Sequence, residues 1–304
     1  MIGYGLSYTA AQRKLSRETV FDFTGGSLPL NVSHSRSTGA YHFDQSANIS
    51  EVASDVPRFD HDPVTGVALG LLLETQSTNL IAHSRANTTN WIKDACNANA
   101  LSLNALGEFD GVEVSSTGMI WGRLKTIFNV TAAETYAITA YYRAGTSQNA
   151  RFAFSGLPGG ETHFSGPVGN LSETRTQIGS VTAFDQTLLA DGTTYRARFF
   201  FTPNVSGSVE FGLGPQSGTS GDSIILLGAQ AEHGNAHSSY IRTTGQVASR
   251  ASDICGVAGL SGIYDVTGKY GDSSEEVFVA QFVSAGYWPP LTSRHLRSLR
   301  FSPV

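Results

Sequence analysis

The sequence predicts an all-β fold: a jelly-roll β-sandwich with an extended N-terminal arm and a small C-terminal β region. Three observations carry this expectation. Segments of about 5–9 residues alternate apolar and polar side chains; Val, Ile, Phe, Tyr and Thr dominate them; Gly, Asn, Asp or Pro separate them. Stretches with helical period are scarce, and the best helical candidate is the short Thr9–Arg17.

Composition narrows the class. The 304 residues carry 20 Lys+Arg against 25 Asp+Glu, a formal charge of -5, with 15% charged and 40% hydrophobic residues. That apolar share supplies a core and excludes wholesale disorder. The acidic balance argues against a nucleic-acid binder, which carries a basic face. No apolar run approaches the roughly 18–20 residues of a membrane helix, and MIGYGLSYTAAQRK lacks the continuous apolar stretch of a secretory signal. A soluble chain is expected. Cys96 and Cys255 stand far apart and show no Cys-x-x-Cys spacing, so two unpaired thiols are expected. Of the 20 cationic residues 16 are Arg, whose planar donor fork suits interfaces and polar ligands.

Taken along the chain, residues 1–80 read as an arm of short extended pieces, with a turn in Asp60-His61-Asp62-Pro63-Val64-Thr65-Gly66. Residues 81–245 hold the regular alternation of a sandwich. In Tyr136–Arg143, Tyr136, Ile138, Ala140 and Tyr142 share one face. In Tyr195–Thr202, Tyr195, Ala197, Phe199 and Phe201 oppose Arg196, Arg198 and Phe200. Val209, Phe211 and Leu213 repeat the period, and Ile224–Leu227, apolar on both faces, reads as a central strand. Residues 246–304 read as a hairpin, Ile263–Tyr270 with Glu276–Val283, followed by a basic tail bearing Arg294, Arg297 and Arg300 after Pro289-Pro290.

Three classes of chemistry bear on this sequence. Carboxylate pairs such as Glu173/Asp185 or Glu108/Asp110/Glu113 fall in turn-like segments, and no Gly-x-Ser-x-Gly elbow, His-Glu-x-x-His or P-loop occurs. No active site is expected. His233 and His237 flank a loop, Gly234-Asn235-Ala236, and Asp60-His61-Asp62 reads as a turn; no metal or other cofactor is expected from them. Sugar binding is the third class. IWGRLKTIFNV places Trp121, Arg123 and Lys125 on one face and Leu124, Phe128 and Val130 on the other. If the second face is core, the indole is exposed beside two cations. Tyr141, Arg143, Arg151, His163 and Phe164 are placed by alternation or loop position where they would complete such a surface. Exposed aromatics flanked by Arg suit a glycan patch, but the same residues are enriched in protein interfaces.

Three strings carry a family likeness: PRFDHDPVTG (57–66), LGLLLETQSTNLI (69–81) and LGAQAEHGNAHSSYIRTTGQVASRASD (227–253), with FDFTGGSLPL (21–30) upstream. The chain resembles virion-surface proteins of tailed phages and of gene transfer agents, which are head spikes, head fibres and tail adhesins. The resemblance covers most of residues 20–255. It implies a concanavalin-like carbohydrate-binding jelly roll between the second and third strings. It also implies a place on the virion surface, attachment to host capsular or envelope polysaccharide, other virion proteins as partners in an oligomer, and a structural Ca²⁺ for which Glu113 or Glu232 would be ligands. Glu74 and Asn79, polar residues inside an apolar run, are expected to clamp the arm against the jelly roll, with Tyr240 and Ile241 closing beside them. The alternative is a connector or decoration protein without glycan binding.

Overall fold

Two-residue alternation between residues 92 and 233, interrupted by register shifts at Tyr141/Tyr142, His163/Phe164 and Thr182/Asp185, sends one set of side chains inward from each of two antiparallel sheets. The computed structural model describes residues 18–304, and among these every regular element is a strand. The expected helix at Thr9–Arg17 lies outside the described residues. The first sheet runs in the order Gly179–Leu188, Tyr195–Pro203, Tyr136–Ala144, Ser223–His233, Val112–Ser116, Cys96–Ala100, and Ser77–Asn79 and Ala248–Arg250 extend it. The second runs Ser172–Arg175, Thr162–Pro167, Asn149–Ser155, Gly207–Pro215, Arg123–Val130, Ile92–Asp94. The chain crosses from sheet to sheet repeatedly, the jelly-roll arrangement.

Between the sheets lies an aromatic core. Phe152, Phe154 and Phe211 of the second sheet meet Phe199 and Phe201 of the first, and Phe154 stacks on Phe201 with centroids 4.1 Å apart. Tyr136, Ile138, Ala140 and Tyr142 point inward as the alternation predicts. Cys96 and Cys255 are both unpaired.

Alternation could not show that the outer face of the first sheet is itself covered. Tyr41, Phe43 and Ile49 of the N-terminal segment pack there against Tyr141, Leu227, Phe109 and Tyr240. A third sheet mixes both ends of the chain: Glu275–Val283, Gly262–Tyr270, His295–Pro303, Ala68–Leu72, Arg58–His61, with Thr19–Asp22 also pairing His295–Pro303. The expected C-terminal hairpin is present. The expected basic tail is not a tail: His295–Pro303 is an interior strand, because Leu296, Leu299 and Phe301 supply an apolar face to a core shared with Phe21, Phe23 and Leu71. Residues from the first and last segments therefore form one body.

Where the three layers meet, the polar residues of the quoted strings form a buried ionic hub. The Arg58 guanidinium donates to Glu74 Oε2 at 2.7 Å and to Asp253 Oδ2 at 2.6 Å. Arg36 and His34 contact Asp253 Oδ1 at 2.9 and 3.0 Å, and Arg250 and Arg294 approach Glu74 at 3.4 and 3.3 Å. Ser239 donates to Glu74 through both its backbone N–H and its hydroxyl. Asn79 donates to the Ile241 carbonyl at 2.8 Å. The clamp is thus Glu74 and Asn79 on one string and residues 239–253 on another.

Candidate functional site

The outer face of the second sheet carries a network of buried and half-buried charged side chains, with an exposed indole two residues before Arg123. Strand register builds it: Arg123 lies opposite Gly214 (one step beyond the Leu124–Leu213 pair), and Gly214 opposite Arg151; Lys125 pairs Gly212, which pairs Ala153, which pairs His163. The small residues Gly212, Gly214 and Ala153 form a floor without bulk, and longer side chains lie down across it. An added Cβ on Gly214 would collide with the Gly122 carbonyl oxygen, so the glycine also permits the close approach of the strand leading from Trp121.

Across that floor Arg123 Nη2 donates to Ser155 Oγ at 2.7 Å, with Glu161 and Asp94 each 3.6 Å away. Lys125 bridges Asp94 at 3.0 Å and Glu210 at 2.8 Å. Arg151 pairs with Glu161, which also meets His163 Nδ1 at 3.0 Å. Burial alone would raise the Glu161 carboxyl; Arg151, His163 and Arg123 together hold it below its ordinary value. His163 is pushed down by burial and then by the Arg151 charge. Arg123 Nε and Arg151 Nη1 are buried without a hydrogen-bond acceptor. Trp121 sits in the turn Met119–Gly122 leading into this trough, 43% exposed, beside exposed Met119 and Ile120.

The structure brings together Arg123, Arg151 and His163 of the expected patch, leaves Trp121 exposed in the turn that precedes Arg123, and separates the other three residues. Tyr141 is 3% exposed on the opposite sheet, sealed under Tyr41 and Tyr240, so it cannot meet a ligand at the trough. Arg143 is also on that sheet and is held by Thr194 and Asp191 at 2.8 and 2.9 Å. Phe164 points into the sandwich core against Phe199, because His163, not its neighbour, takes the outward position. Sequence reasoning missed Asp94, Ser155, Glu161 and Glu210 as members. The outward position of Glu210 was legible in SVEFGLG, whereas the pairing of strands that brings Asp94 and Glu161 to it was not.

Glu113 accepts from Ser223 Oγ at 3.1 Å, and Glu232 accepts from Ser77 Oγ at 2.5 Å and from Ser238. These carboxylates are engaged by hydroxyls and a backbone N–H. Among the described residues no group of three or more His, Cys, Asp or Glu is placed to hold a metal ion. His233 bonds Glu134 at 3.0 Å while His237 turns toward Thr139, so the two do not converge.

A larger cleft of about 780 Å³ lies between residues 73–77, the loop 233–238 and the segment Trp288–Arg294, within the size range of ligand sites. Its walls include the hub residues Glu74, Arg250 and Asp253.

No family model matches the chain, and no curated protein matches it. Among solved structures, the CBM22-1 xylan-binding domain of Paenibacillus barcinonensis Xyn10C aligns at 13% identity and a TM-score of 0.34, over 54% of this chain and 99% of that one. A family 11 carbohydrate-binding module from Clostridium thermocellum, in complex with a β-1,3-1,4-mixed-linked tetrasaccharide, aligns at 15% identity and a TM-score of 0.19, over 50% and 96%. Overlaps this loose carry no weight for function; the jelly-roll assignment stands on the strand order itself.

Proposed function

We propose that the protein is a non-catalytic glycan-binding component of a virion surface, attaching the particle to host capsular or envelope polysaccharide through the second-sheet trough. The observation that carries this is the exposed Trp121 in the turn leading into a sheet face where Gly212, Gly214 and Ala153 lie between Arg123, Lys125, Arg151, Glu161 and His163. An indole offers a flat apolar face to a sugar ring, and guanidinium and carboxylate groups pair with its hydroxyls. The virion setting rests on the likeness of residues 57–66, 69–81 and 227–253 to virion-surface proteins, two of which strings form the clamp. Single sites of millimolar affinity gain about 10²–10⁴ in avidity when many copies share a particle.

Trp121→Ala is expected to weaken retention on host capsule or on a glycan array at least about tenfold, with an unchanged unfolding temperature because the ring is exposed. Chain shortening of the capsule during incubation would overturn the non-catalytic reading, and wild-type retention by Trp121→Ala would overturn the trough.

One observation favours the connector reading as a second role. Glu275–Val283 is an edge strand, and Val277, Val279 and Phe282 are exposed on it beside Ile263 of the neighbouring strand; Phe282 is 72% exposed. Apolar side chains on an unpaired edge are a docking surface. A second copy of the chain is the expected occupant. Sedimentation should show concentration-dependent association in wild type and a monomer for the Val279→Lys, Phe282→Lys double variant. A wild-type protein that stays monomeric would contradict this role.

A further inference from the structure

The segment that covers the outer face of the first sheet does not seal it. It roofs a cavity of about 230 Å³ lined by His42, Phe43, Asp60, Asp62, Thr139, Tyr141, Arg196, Arg198, His237 and Arg294 among others. That volume is below the roughly 300–1,000 Å³ of sites for drug-sized ligands, so it suits a single small molecule, not a chain.

Most of the charges on its walls have partners. Arg198 is paired with Asp185 at 2.7 Å, and Arg294 with Glu74 at 3.3 Å. Asp60 accepts from the Phe43 N–H at 2.7 Å and contacts His295 at 2.7 Å. Asp62 caps its own turn by accepting from the N–H groups of Val64 and Thr65. Arg196 makes no hydrogen bond and no ion pair among the described residues. Its Nε is buried without an acceptor, and its guanidinium carbon stands 5.6 Å from the Phe43 ring centroid. Asp62 and Asp185 act on Arg196 electrostatically, but neither forms an ion pair with it among the described residues. Beside it, the Tyr141 hydroxyl also makes no hydrogen bond among the described residues, although the side chain is almost wholly buried and lines the same cavity. Buried polar groups normally have partners. Arg196 Nε lacks one, and Tyr141 lines the same void.

Both signs of charge line the cavity, Arg196, Arg198 and Arg294 with Asp60 and Asp62. Burial pushes the His237 imidazole down to about 4, with the charges of Arg198, Arg294 and Arg196 acting in the same direction. Arg196 and Arg198 are half-buried, so solvent reaches the cavity.

We infer that this cavity is a second binding site, and that its ligand is a single carboxylate-bearing sugar of the uronic acid class. The carboxylate would take the planar fork of Arg196 together with the Tyr141 O–H donor, neither of which makes a hydrogen bond among the described residues. Ring hydroxyls would face Thr139, Ser238 and the acidic wall of Asp60 and Asp62. Those carboxylates accept hydrogen bonds from hydroxyls and repel a dianion such as phosphate more strongly than they do a single carboxylate. The site is on the opposite sheet from the trough and does not depend on the reading of the trough.

Titration calorimetry of the full chain with sodium glucuronate, glucose and inorganic phosphate tests this. Glucuronate should bind saturably and at least about tenfold more tightly than either of the others. Tyr141→Phe, which keeps the ring, and Arg196→Met, which keeps most of the length, should each weaken glucuronate binding at least about tenfold. Arg196→Met should unfold at about the wild-type temperature, since Arg196 makes no ion pair among the described residues and methionine keeps an apolar stem against Phe43. Neither variant should change retention of neutral glycans at the trough, so failure of this site and failure of the trough are separable. Equal affinity for glucose, equal or tighter binding of phosphate, or wild-type glucuronate affinity in Tyr141→Phe would each overturn the inference.

Discussion

Asp253→Ala is expected to destabilise the protein by about 3–5 kcal/mol, the range for breaking a buried ion pair by removing one partner. For a chain of this size that is roughly a 10 °C fall in unfolding temperature. The reason is that Asp253 binds three groups from different parts of the chain at once: His34, Arg36 and Arg58. All of these side chains are fully buried, so the alanine variant leaves the Arg36 guanidinium in the interior without a carboxylate and Arg58 with Glu74 alone. Asp253 also accepts from the Glu74 backbone N–H at 2.9 Å, so the loss reaches the clamp itself. The hub makes the protein acid-sensitive in a defined direction. Burial by itself would raise the Glu74 carboxyl, but Arg58, Arg250, Arg294 and the Ser239 bond outweigh it and bring it from 4.5 to about 2. Asp253 is likewise held far below the carboxylate range: burial opposes this, but the His34 and Arg36 bonds, the Arg58 charge and the Glu74 N–H prevail. A carboxylate with a depressed folded pKa contributes stability that is full above its unfolded value and is lost as pH falls toward the folded one. For Glu74 that contribution is on the order of 3 kcal/mol. Chemical denaturation between pH 6 and 3, with about pH 4.3 as the unfolded reference of a glutamate, should show stability falling only below about pH 5. A flat profile would show that the hub is not what holds the ends of the chain to the jelly roll.

Phe154→Ala should cost about 3–5 kcal/mol, as truncation of a packed core aromatic does. Phe154 belongs to Asn149–Ser155 in the second sheet, and its ring lies 4.1 Å from that of Phe201 in the first, at 5° to it. It also contacts Phe199 and Phe211, so no single neighbour can fill the void. Phe154→Leu, which keeps part of the volume, should recover a portion of the loss. The same strand carries Arg151 on its outer face, so this pair of variants separates sandwich stability from ligand contact. Equilibrium unfolding in urea provides the measurement, and a cost below about 1 kcal/mol would contradict a shared core between the two sheets.

Strand identity and inward faces were legible in the sequence because a two-residue period leaves little freedom once one side is buried. Tyr195, Ala197, Phe199 and Phe201 illustrate this, as do Leu124, Phe128 and Val130. The same rule placed Arg196 and Arg198 outward correctly but said nothing about what lies above them. Tyr141 shows the consequence: its alternation is outward, yet Tyr41 and Tyr240 bury it, and that covering layer comes from residues about 100 positions away in each direction. Phe164 was misplaced because THFSGP was read as a loop, whereas it is a strand whose outward position belongs to His163. The basic C-terminal segment was misread for a related reason. Its arginines suggested a solvated end, while Leu296, Leu299 and Phe301 recur at core-facing positions of the strand His295–Pro303. Long-range pairing decides each of these, and a single sequence does not display it.

Chemical-shift mapping with a glycan retained by the wild-type protein tests the central claim most directly. The trough predicts perturbations concentrated at the Trp121 indole N–H and at the backbone amides of Arg123, Arg151, His163 and Gly212–Gly214. Perturbations that avoid this face and gather at the cleft around Trp288, or an absence of any saturable change, would contradict it.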